Sequence, residues 1–497
     1  MAQITIGGES FPVPEGTLLS DALLPRHTLE TPCGGQGRCG KCRVRVSGAV
    51  SPPSPAEIAR LTPQELSQGV RLACCTKVQG DCTVELFHSG ESQIRLTGKM
   101  PKFDLAPAFS HYGVAMDIGT TTLAALLFDH QGIQLAQASC PNPQGAWGAD
   151  VISRIQAALQ GKGEELAAAV RGALSQLIGD MARQAAVSPE EIDGVTITGN
   201  TVMLYLLTTT DPDCLSHAPF AATRLFGETL PAADLDLPCL GAQVYLPRCM
   251  SAFVGADITT ALLASSICQK PGTRLLTDIG TNGEIALWHK GQLSCCSTAA
   301  GPAFEGAGLS MGMPGKIGAI DHVTVENGAL RAHVLGGGTP QGVCGSGVID
   351  GLACLLELGL LDETGLLEED PAVLQAPVSL SQKDVRMVQL AKSAVCSGLT
   401  TLLRTAGVPA GEVEELAVAG GFGSYLNVAS AGKIGLLPQE LVPKVQVLGN
   451  AALSGAAMLL LNETLRAESQ RLAESSHTVD LSANPVFLEL YTDNMFF

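Results

Sequence analysis

Two stretches of this chain share one pattern of apolar and polar positions. Residues 112–129 read YGVAMDIGTTTLAALLFD and residues 274–288 read RLLTDIGTNGEIALW. Each is an apolar run ending in Asp-Ile-Gly-Thr, then a polar turn, then a second apolar run, which predicts strand–turn–strand twice over. Asp117 and Asp278 stand 161 residues apart, the spacing of a duplicated α/β unit rather than of a solenoid, whose repeats are ~20–50 residues. Helical periods fill the space between and beyond the two copies, at residues 151–159, 164–186 and 385–403. Residues 445–462 are uncharged and apolar but interrupted by Gln446, Gly449, Asn450, Ser454 and Gly455. A membrane span needs ~20 predominantly apolar residues, so this stretch reads as a buried core helix.

The first hundred residues follow a different rhythm. Residues 3–6 and 11–13 flank a Gly7-Gly8 turn and predict a hairpin, residues 17–24 a helical turn or two, and residues 43–46 and 83–86 further strands. This is a small β-rich domain over residues 1–97. Residues 98–111 (GKMPKFDLAPAFSH) hold two prolines and show neither period, which reads as a linker. The remainder, residues 112–497, divides into halves at about 112–272 and 273–497.

Composition narrows the function. Of 497 residues, 46% are hydrophobic and 16% charged, ample for a large core and too apolar for a disordered chain. The net charge of −18 argues against binding to nucleic-acid phosphates. Residues 1–98 carry nine basic and nine acidic groups, so the whole excess lies in the remaining chain. Residues 1–20 show no basic segment followed by an apolar one, so the expected location is the cytoplasm, without membrane insertion.

Six of the sixteen cysteines fall in the first 82 residues. Residues 33–42 read CGGQGRCGKC, and Cys74-Cys75 follow in the sequence RLACC. An iron–sulfur cluster needs four converging thiolates, and glycines let the backbone wrap the sulfides. Cys33, Cys39 and Cys42 supply three, with Cys74 or Cys75 the fourth. N–H groups of Gly34, Gly35, Gly37 and Gly40 can then hydrogen-bond the sulfurs. Structural zinc usually takes two close pairs, and here only Cys39/Cys42 is C-x2-C. The loop resembles that of 2Fe–2S ferredoxins, in a variant with five residues after the first cysteine. The resemblance implies a β-grasp fold and places the fourth ligand directly after Arg-Leu-Ala, at Cys74, leaving Cys82 as a strand core residue.

The large segment resembles the superfamily of acetate and sugar kinases, heat-shock chaperones and actin, whose two RNase H-like halves close around Mg-ATP. The resemblance makes residues 117–122 the first phosphate loop and residues 278–284 the second. Gly119 and Gly280 would form tight hairpins, and Thr120, Thr121, Thr122, Thr281, Asn282 and Gly283 would face phosphate. Asp117 and Asp278 would hold Mg²⁺ through water. Residues 417–424 (AVAGGFGS) resemble the adenosine-binding loop, with Gly420, Gly421 and Gly423 allowing close approach. Asn200 ends an apolar strand and would point into the cleft. Glu284 and Glu305 are candidate water-positioning or metal-linked carboxylates.

Together with residues 142–155 (NPQGAWGADVISRI), TGNTVM and GVCGSGVID, the whole chain resembles the reductive activators of corrinoid proteins. That resemblance implies ATP-dependent transfer of one electron from a 2Fe–2S cluster to Co(II), restoring Co(I) in a corrinoid methyl-carrier protein. It also implies an upstream low-potential electron donor and a homodimer. For one electron a gap of ~300 mV is about five decades of equilibrium, which is the gap that ATP would bridge. Arg38, Lys41, Arg43 and Arg45 would form a basic docking face beside the cluster loop, and the linker would let that face swing. The rival readings are a small-molecule kinase with a fused ferredoxin domain and a chaperone-like ATPase for cofactor insertion.

Overall fold

The computed structural model describes residues 1–24, 29, 35–38, 40–86, 98, 100–421 and 425–497. Its first sheet contains β1 (Ala2–Ile6), β2 (Glu9–Val13), β3 (Arg43–Val50), β4 (Val70–Leu72) and β5 (Val78–Leu86), in the order β2-β1-β5-β3-β4. The β1–β5 pair is parallel and the others antiparallel. The Leu19–Leu23 helix lays Leu19 and Leu23 on this sheet beside Ile4, Val44, Leu72 and Val78, giving the β-grasp core. Cys82 is buried in β5, as expected of a strand residue.

The rest of the chain is built on two sheets of six strands each. The first contains β6 (Tyr112–Ile118), β7 (Thr122–Asp129), β8 (Gln134–Pro141), β9 (Ile192–Gly199), β10 (Glu228–Pro231) and β11 (Gln243–Leu246), ordered β10-β11-β9-β6-β7-β8. In the second half come β12 (Thr273–Ile279), β13 (Gly283–His289), β14 (Gln292–Thr298), then a small sheet of β15 (Ala319–Glu326), β16 (Ala329–Val334) and β17 (Gly342–Val343). A β18 (Ala372–Gln375)–β19 (Val378–Leu380) ribbon precedes β20 (Val413–Ala419), β21 (Val445–Gly449) and β22 (His477–Thr478). The second large sheet runs β21-β20-β12-β13-β14-β22. Each half therefore repeats one plan, an antiparallel meander (β6–β8, β12–β14) continued by parallel strands (β9 and β11, β20 and β21). This is the duplicated RNase H-like plan that the twin motifs predict.

Amphipathic helices cover the sheets. In the Gly163–Ala185 helix, Leu166, Val170, Leu174, Leu177, Ile178 and Met181 recur at helical spacing and are buried against the first sheet. The Gln382–Thr405 helix does the same for the second half with Val385, Val388, Val395, Leu399 and Leu402.

Two further helices trade places between the halves. The Ala256–Ser265 helix ends the first half yet packs Ile258, Ala261 and Leu262 with Leu276, Ala286 and Ala417 of the second. The Ala451–Leu461 helix belongs to the second half yet packs Leu453, Ala456 and Leu460 on Ala115, Ala124 and Leu126 of the first. All eleven of its residues are buried, which is why its sequence is apolar all round. The two helices touch at Gly455, where a Cβ would lie 1.9 Å from the Thr260 carbonyl oxygen.

Two expectations need correction. Residues 445–462 are not one helix. Val445 to Gly449 form β21, Gly449 turns at φ 75°, and Asn450 caps the helix by accepting from Leu453 N–H at 2.8 Å. The uncharged run hid this change from strand to helix. The stretch read as a linker is also pinned at its far end. Ala106 and Ala108 N–H donate to the carbonyls of Leu461 and Leu460 at 2.9 and 3.0 Å. Phe109 is buried on Gly113 and Gly194, where a Cβ would come within 2.6 Å of its atoms. Among the described residues, no helix is long and apolar enough to cross a membrane.

The helix crossing is testable by a pair of glycines. Gly455→Ala should lower the denaturation midpoint, because overpacking costs about 1–3 kcal/mol. Gly172→Ala, exposed in a helix with nothing within 4 Å of the added carbon, should raise stability by about 0.4–1 kcal/mol. Urea titration of both variants is the measurement, and equal midpoints would contradict the close-contact reading.

Candidate active site

The two Asp-Ile-Gly-Thr hairpins face one another across the junction of the halves. At the first, Gly119 N–H donates to Thr122 O at 3.0 Å, and at the second Gly280 N–H donates to Asn282 O at 2.9 Å. A Cβ on Gly119 would sit 2.7 Å from Thr122 O, so the tight turn excludes a side chain there. Asp117 pairs in register with Ala124 and with Thr198 of β9, while Asp278 pairs with Glu284 and with Ala419 of β20. Each aspartate thus sits one residue before the end of the central strand in its sheet.

Several residues outside the first hairpin itself support it. Asn142 Nδ2 donates to Gly119 O at 2.8 Å, and its N–H donates to Thr121 O at 2.8 Å. Arg154 is buried beneath the loop and donates to Thr120 O (2.6 Å) and Gly148 O (3.0 Å). Asn200 caps the Thr201–Leu207 helix and donates to Thr120 Oγ1 at 3.3 Å. In the second hairpin Gly283 O accepts from Thr298 Oγ1 at 3.1 Å, and the Asn282 side chain bonds Glu284.

Glu305 joins the two hairpins. It ends the short Pro302–Glu305 turn, and its Oε2 accepts from Thr121 Oγ1 of the first loop and from Thr281 Oγ1 of the second, the latter at 3.0 Å. Asn450 makes another link between halves, donating from Nδ2 to Asp117 Oδ2 at 3.0 Å. Asp257, in the first turn of the Ala256–Ser265 helix, completes the acidic group. Neither Asn450 nor Asp257 belongs to a loop that sequence singled out, and a helix-start pattern (Gly255-Ala-Asp, Gly449-Asn) was the only available signal.

Burial and mutual repulsion perturb these acids. Burial holds Asp117 up at about 6, partly offset by Asn450. Burial, then Asp117 and Glu305, raise Asp278 to about 7. Burial, then Asp278 and Asp117, raise Asp257 to about 8. Glu284 and Glu305 are raised as well, burial first, with Arg154 and the two threonines opposing it at Glu305. Crowded buried carboxylates hold protons until a cation replaces them. Among the described residues, no three acidic, histidine or cysteine side chains converge tightly enough to cage a metal directly. The donor set itself, buried aspartate oxygens on both hairpins, is of the hard kind that Mg²⁺ takes.

Gly420 lies against this acidic group, since a Cβ there would come 2.6 Å from Asp278 Oδ1. Its φ is +98°, and Gly421 is exposed beside it. Gly423 lies outside the described residues.

In the first sheet Cys42 and Cys74 are buried with their sulfurs 3.2 Å apart. Cys33 and Cys39 lie outside the described residues. Gly37 N–H points at the Cys74 sulfur, and Cys42 and burial push the Cys74 thiol far up. Gly35, Gly37 and Gly40 all have positive φ, which lets the loop curl over the cysteines. Two buried thiols that compete for a proton become thiolates together only on a metal, so this donor set fits an iron–sulfur cluster. Cys75 is half-buried, 3.7 Å from Cys74, and burial raises it to about 11.

The turn carrying Cys74 is tied down by Glu57. This fully buried carboxylate accepts from Arg71 Nε (2.9 Å), Arg71 Nη2 (3.0 Å), Leu72 N (3.1 Å), Thr76 Oγ1 (3.0 Å) and Ser54 N (2.8 Å). Burial opposes its charge, and these bonds outweigh it and hold the carboxyl below its ordinary value. The expected basic docking face is only partly present. Arg43 pairs with Glu65 of the Pro63–Ser67 helix and Arg45 with Glu85 across the sheet, while Arg38 is exposed.

Three outcomes follow from this geometry. Cys74→Ser should lose the cluster, by iron content and paramagnetic resonance, whereas Cys75→Ser keeps it. Asp117→Asn and Asp278→Asn should each lower ATP hydrolysis by at least about 10²-fold, the scale of removing one preorganised charge interaction, with cluster absorbance unchanged. An acid whose folded pKa lies above its unfolded value binds more protons when folded, so stability falls as pH rises between the two values. The melting temperature without divalent cation should therefore fall from pH 5 to pH 8, and fall less in Asp278→Asn.

Comparison with known proteins extends this account over the whole chain. Residues 4–79 match the family described as a 2Fe-2S iron-sulfur cluster binding domain, residues 112–270 the "RACo middle region", and residues 272–497 the "C-terminal domain of RACo the ASKHA domain". The chain is 36% identical over 422 residues to the corrinoid activation enzyme RamQ of Eubacterium limosum, covering 78% of this chain and 70% of that one. It is 25% identical over 385 residues to a Methanosarcina barkeri protein named [Co(II) methylated amine-specific corrinoid protein] reductase, covering 71% and 70%. Among solved structures, a reductive activator for a corrinoid, iron–sulfur protein superposes with a TM-score of 0.74 at 26% identity, covering 100% of this chain and 98% of that one. With likeness of this extent running through both the iron–sulfur and the nucleotide-binding parts, the chain belongs to the family of reductive corrinoid-activating enzymes.

Proposed function

We propose that this protein restores Co(I) in a corrinoid methyl-carrier protein by passing one electron to inactive Co(II), at the expense of ATP. The observation that carries the reading is one chain holding both a buried cysteine pair under a glycine-rich loop and a two-lobed acidic cleft. Its relatives are named for the same activity. The division of labour is residues 1–97 for the cluster, 98–111 for the connection and 112–497 for ATP, which agrees with the separate sheets.

When bound, the 2Fe–2S cluster supplies a one-electron carrier, refilled by an upstream low-potential donor. Cys42 and Cys74, with Cys33 and Cys39, hold it, Gly37 N–H lowers the charge density on the Cys74 sulfur, and Glu57 fixes the ligand turn. In the cleft, Thr120, Thr121, Thr122 and Thr281 offer hydroxyls and N–H groups to the ATP phosphates. Asp117 and Asp278 would hold Mg²⁺, which would offset the phosphate charge, and Asn450 holds the Asp117 carboxylate in position. Glu284 orients the attacking water, and Gly420 leaves room beside Asp278. Because the threonines belong to opposite halves, bound ATP draws the halves together and hydrolysis releases them. Lobe movement then changes the affinity for the cobalt protein.

An anaerobic optical assay of a Co(II) corrinoid protein with reductant tests this. Full-length enzyme should reduce cobalt only with ATP. Cys42→Ser, lacking the cluster, and Asp278→Asn, lacking hydrolysis, should each reduce it at least about 10²-fold more slowly. Undiminished reduction by Cys42→Ser would end the electron-carrier assignment. A phosphorylated small molecule, with no ATP effect on cobalt, would favour the kinase.

A further inference from the structure

The segment that carries Glu305 also touches the iron–sulfur loop. Lys41, between Cys39 and Cys42 in the sequence, donates from Nζ to the Gly312 carbonyl at 2.8 Å. Gly312 and Glu305 are seven residues apart in sequence and closer in space. A Cβ on Gly312 would lie 2.1 Å from Gly306 O, and one on Gly306 would lie 2.3 Å from Met313 O. Gly306, directly after Glu305, is thus in backbone contact with both Gly312 and Met313.

The segment is also held at intervals. Gly301 N–H donates to Thr281 O (2.9 Å), Ser310 N–H to Asp384 Oδ1 (2.7 Å) and Met313 N–H to Val343 O (3.0 Å). Between these anchors, the backbone contact of Gly306 with Gly312 and Met313 gives a displacement at Glu305 a short path to Gly312.

We propose that residues 301–313 are a strut through which ATP phosphate and the iron–sulfur loop compete, so that nucleotide binding loosens the hold of Gly312 on Lys41. This rests on the reading that ATP phosphates occupy the two hairpins. A threonine hydroxyl has a single proton to give, and Thr121 and Thr281 both give theirs to Glu305 Oε2. A phosphate oxygen that accepts those two hydrogen bonds displaces the Glu305 carboxyl group from both threonines. The Pro302–Glu305 turn then moves, and Gly312 moves with Gly306. The iron–sulfur loop is released when the nucleotide arrives, freeing the donor domain for the cobalt partner.

By linkage, whatever ATP weakens must also weaken ATP. In the full-length protein, Lys41→Ala should bind Mg-AMPPNP about 3- to 10-fold more tightly than wild type, the scale for loss of one partly exposed charge-assisted bond. Lys41→Arg should restore the wild-type value, and cluster absorbance serves as a check on both. In wild type, AMPPNP should speed amide exchange at residues 41–46. Unchanged or weaker analogue binding in Lys41→Ala, or unchanged exchange in wild type, would overturn the strut. Failure of wild type to bind the analogue at all would overturn the nucleotide reading beneath it.

Discussion

Carboxylates that repel one another can be buried together only if their walls are held by something other than charge. Asp117, Asp257, Asp278, Glu284 and Glu305 meet at the junction of two sheets, and burial raises every one of them. The walls are the apolar cores on either side, and above all the exchanged helices that embed each half in the other. Arg154 and Asn450 reach in from the flanks, but neither neutralises the group. The site is thus tensioned toward a cation, and the fold supplies the force that keeps it so.

The iron–sulfur part meets a smaller version of the same constraint. Two buried sulfurs lie 3.2 Å apart, and the rigidity around them comes from polar bonds rather than a large core. Glu57 gathers five donors around the turn that presents Cys74. A domain of this size has little apolar surface to spend on positioning, so a saturated buried carboxylate does that work.

How much of this was legible in the sequence depends on whether the chemistry is local. The two hairpins were legible because Asp, Gly and Thr must be adjacent to make this tight turn, and the strands flanking them are continuous apolar runs, as strands buried on both faces are. The cysteine loop was legible for the same reason. Asp257, Asn450 and Arg154 were not, since each reaches the cleft from an element distant in sequence. Only the helix crossing and the loop at residues 142–150 bring them there. Residues 445–449 were misread because Val445 and Val447 alternate within a run too apolar to show a boundary. Arg43 and Arg45 read as free cations until the fold brought Glu65 of the Pro63–Ser67 helix to Arg43 and the register of β3 with β5 set Glu85 opposite Arg45.

The contact at Gly455 has a mechanical consequence. Backbone meets backbone there, with no side chains between to slide or compress. The two helices also pack side chains along their contact, Ile258, Ala261 and Leu262 sharing a core with Ala451, Met458 and Leu459, so the bare approach at Gly455 fixes how near they can come. The Ala451–Leu461 helix is eleven residues, about 16 Å at 1.5 Å per residue, and is rooted in the opposite half along that length. Any relative movement of the halves must keep this spacing, so the two helices can shift past each other but cannot draw closer.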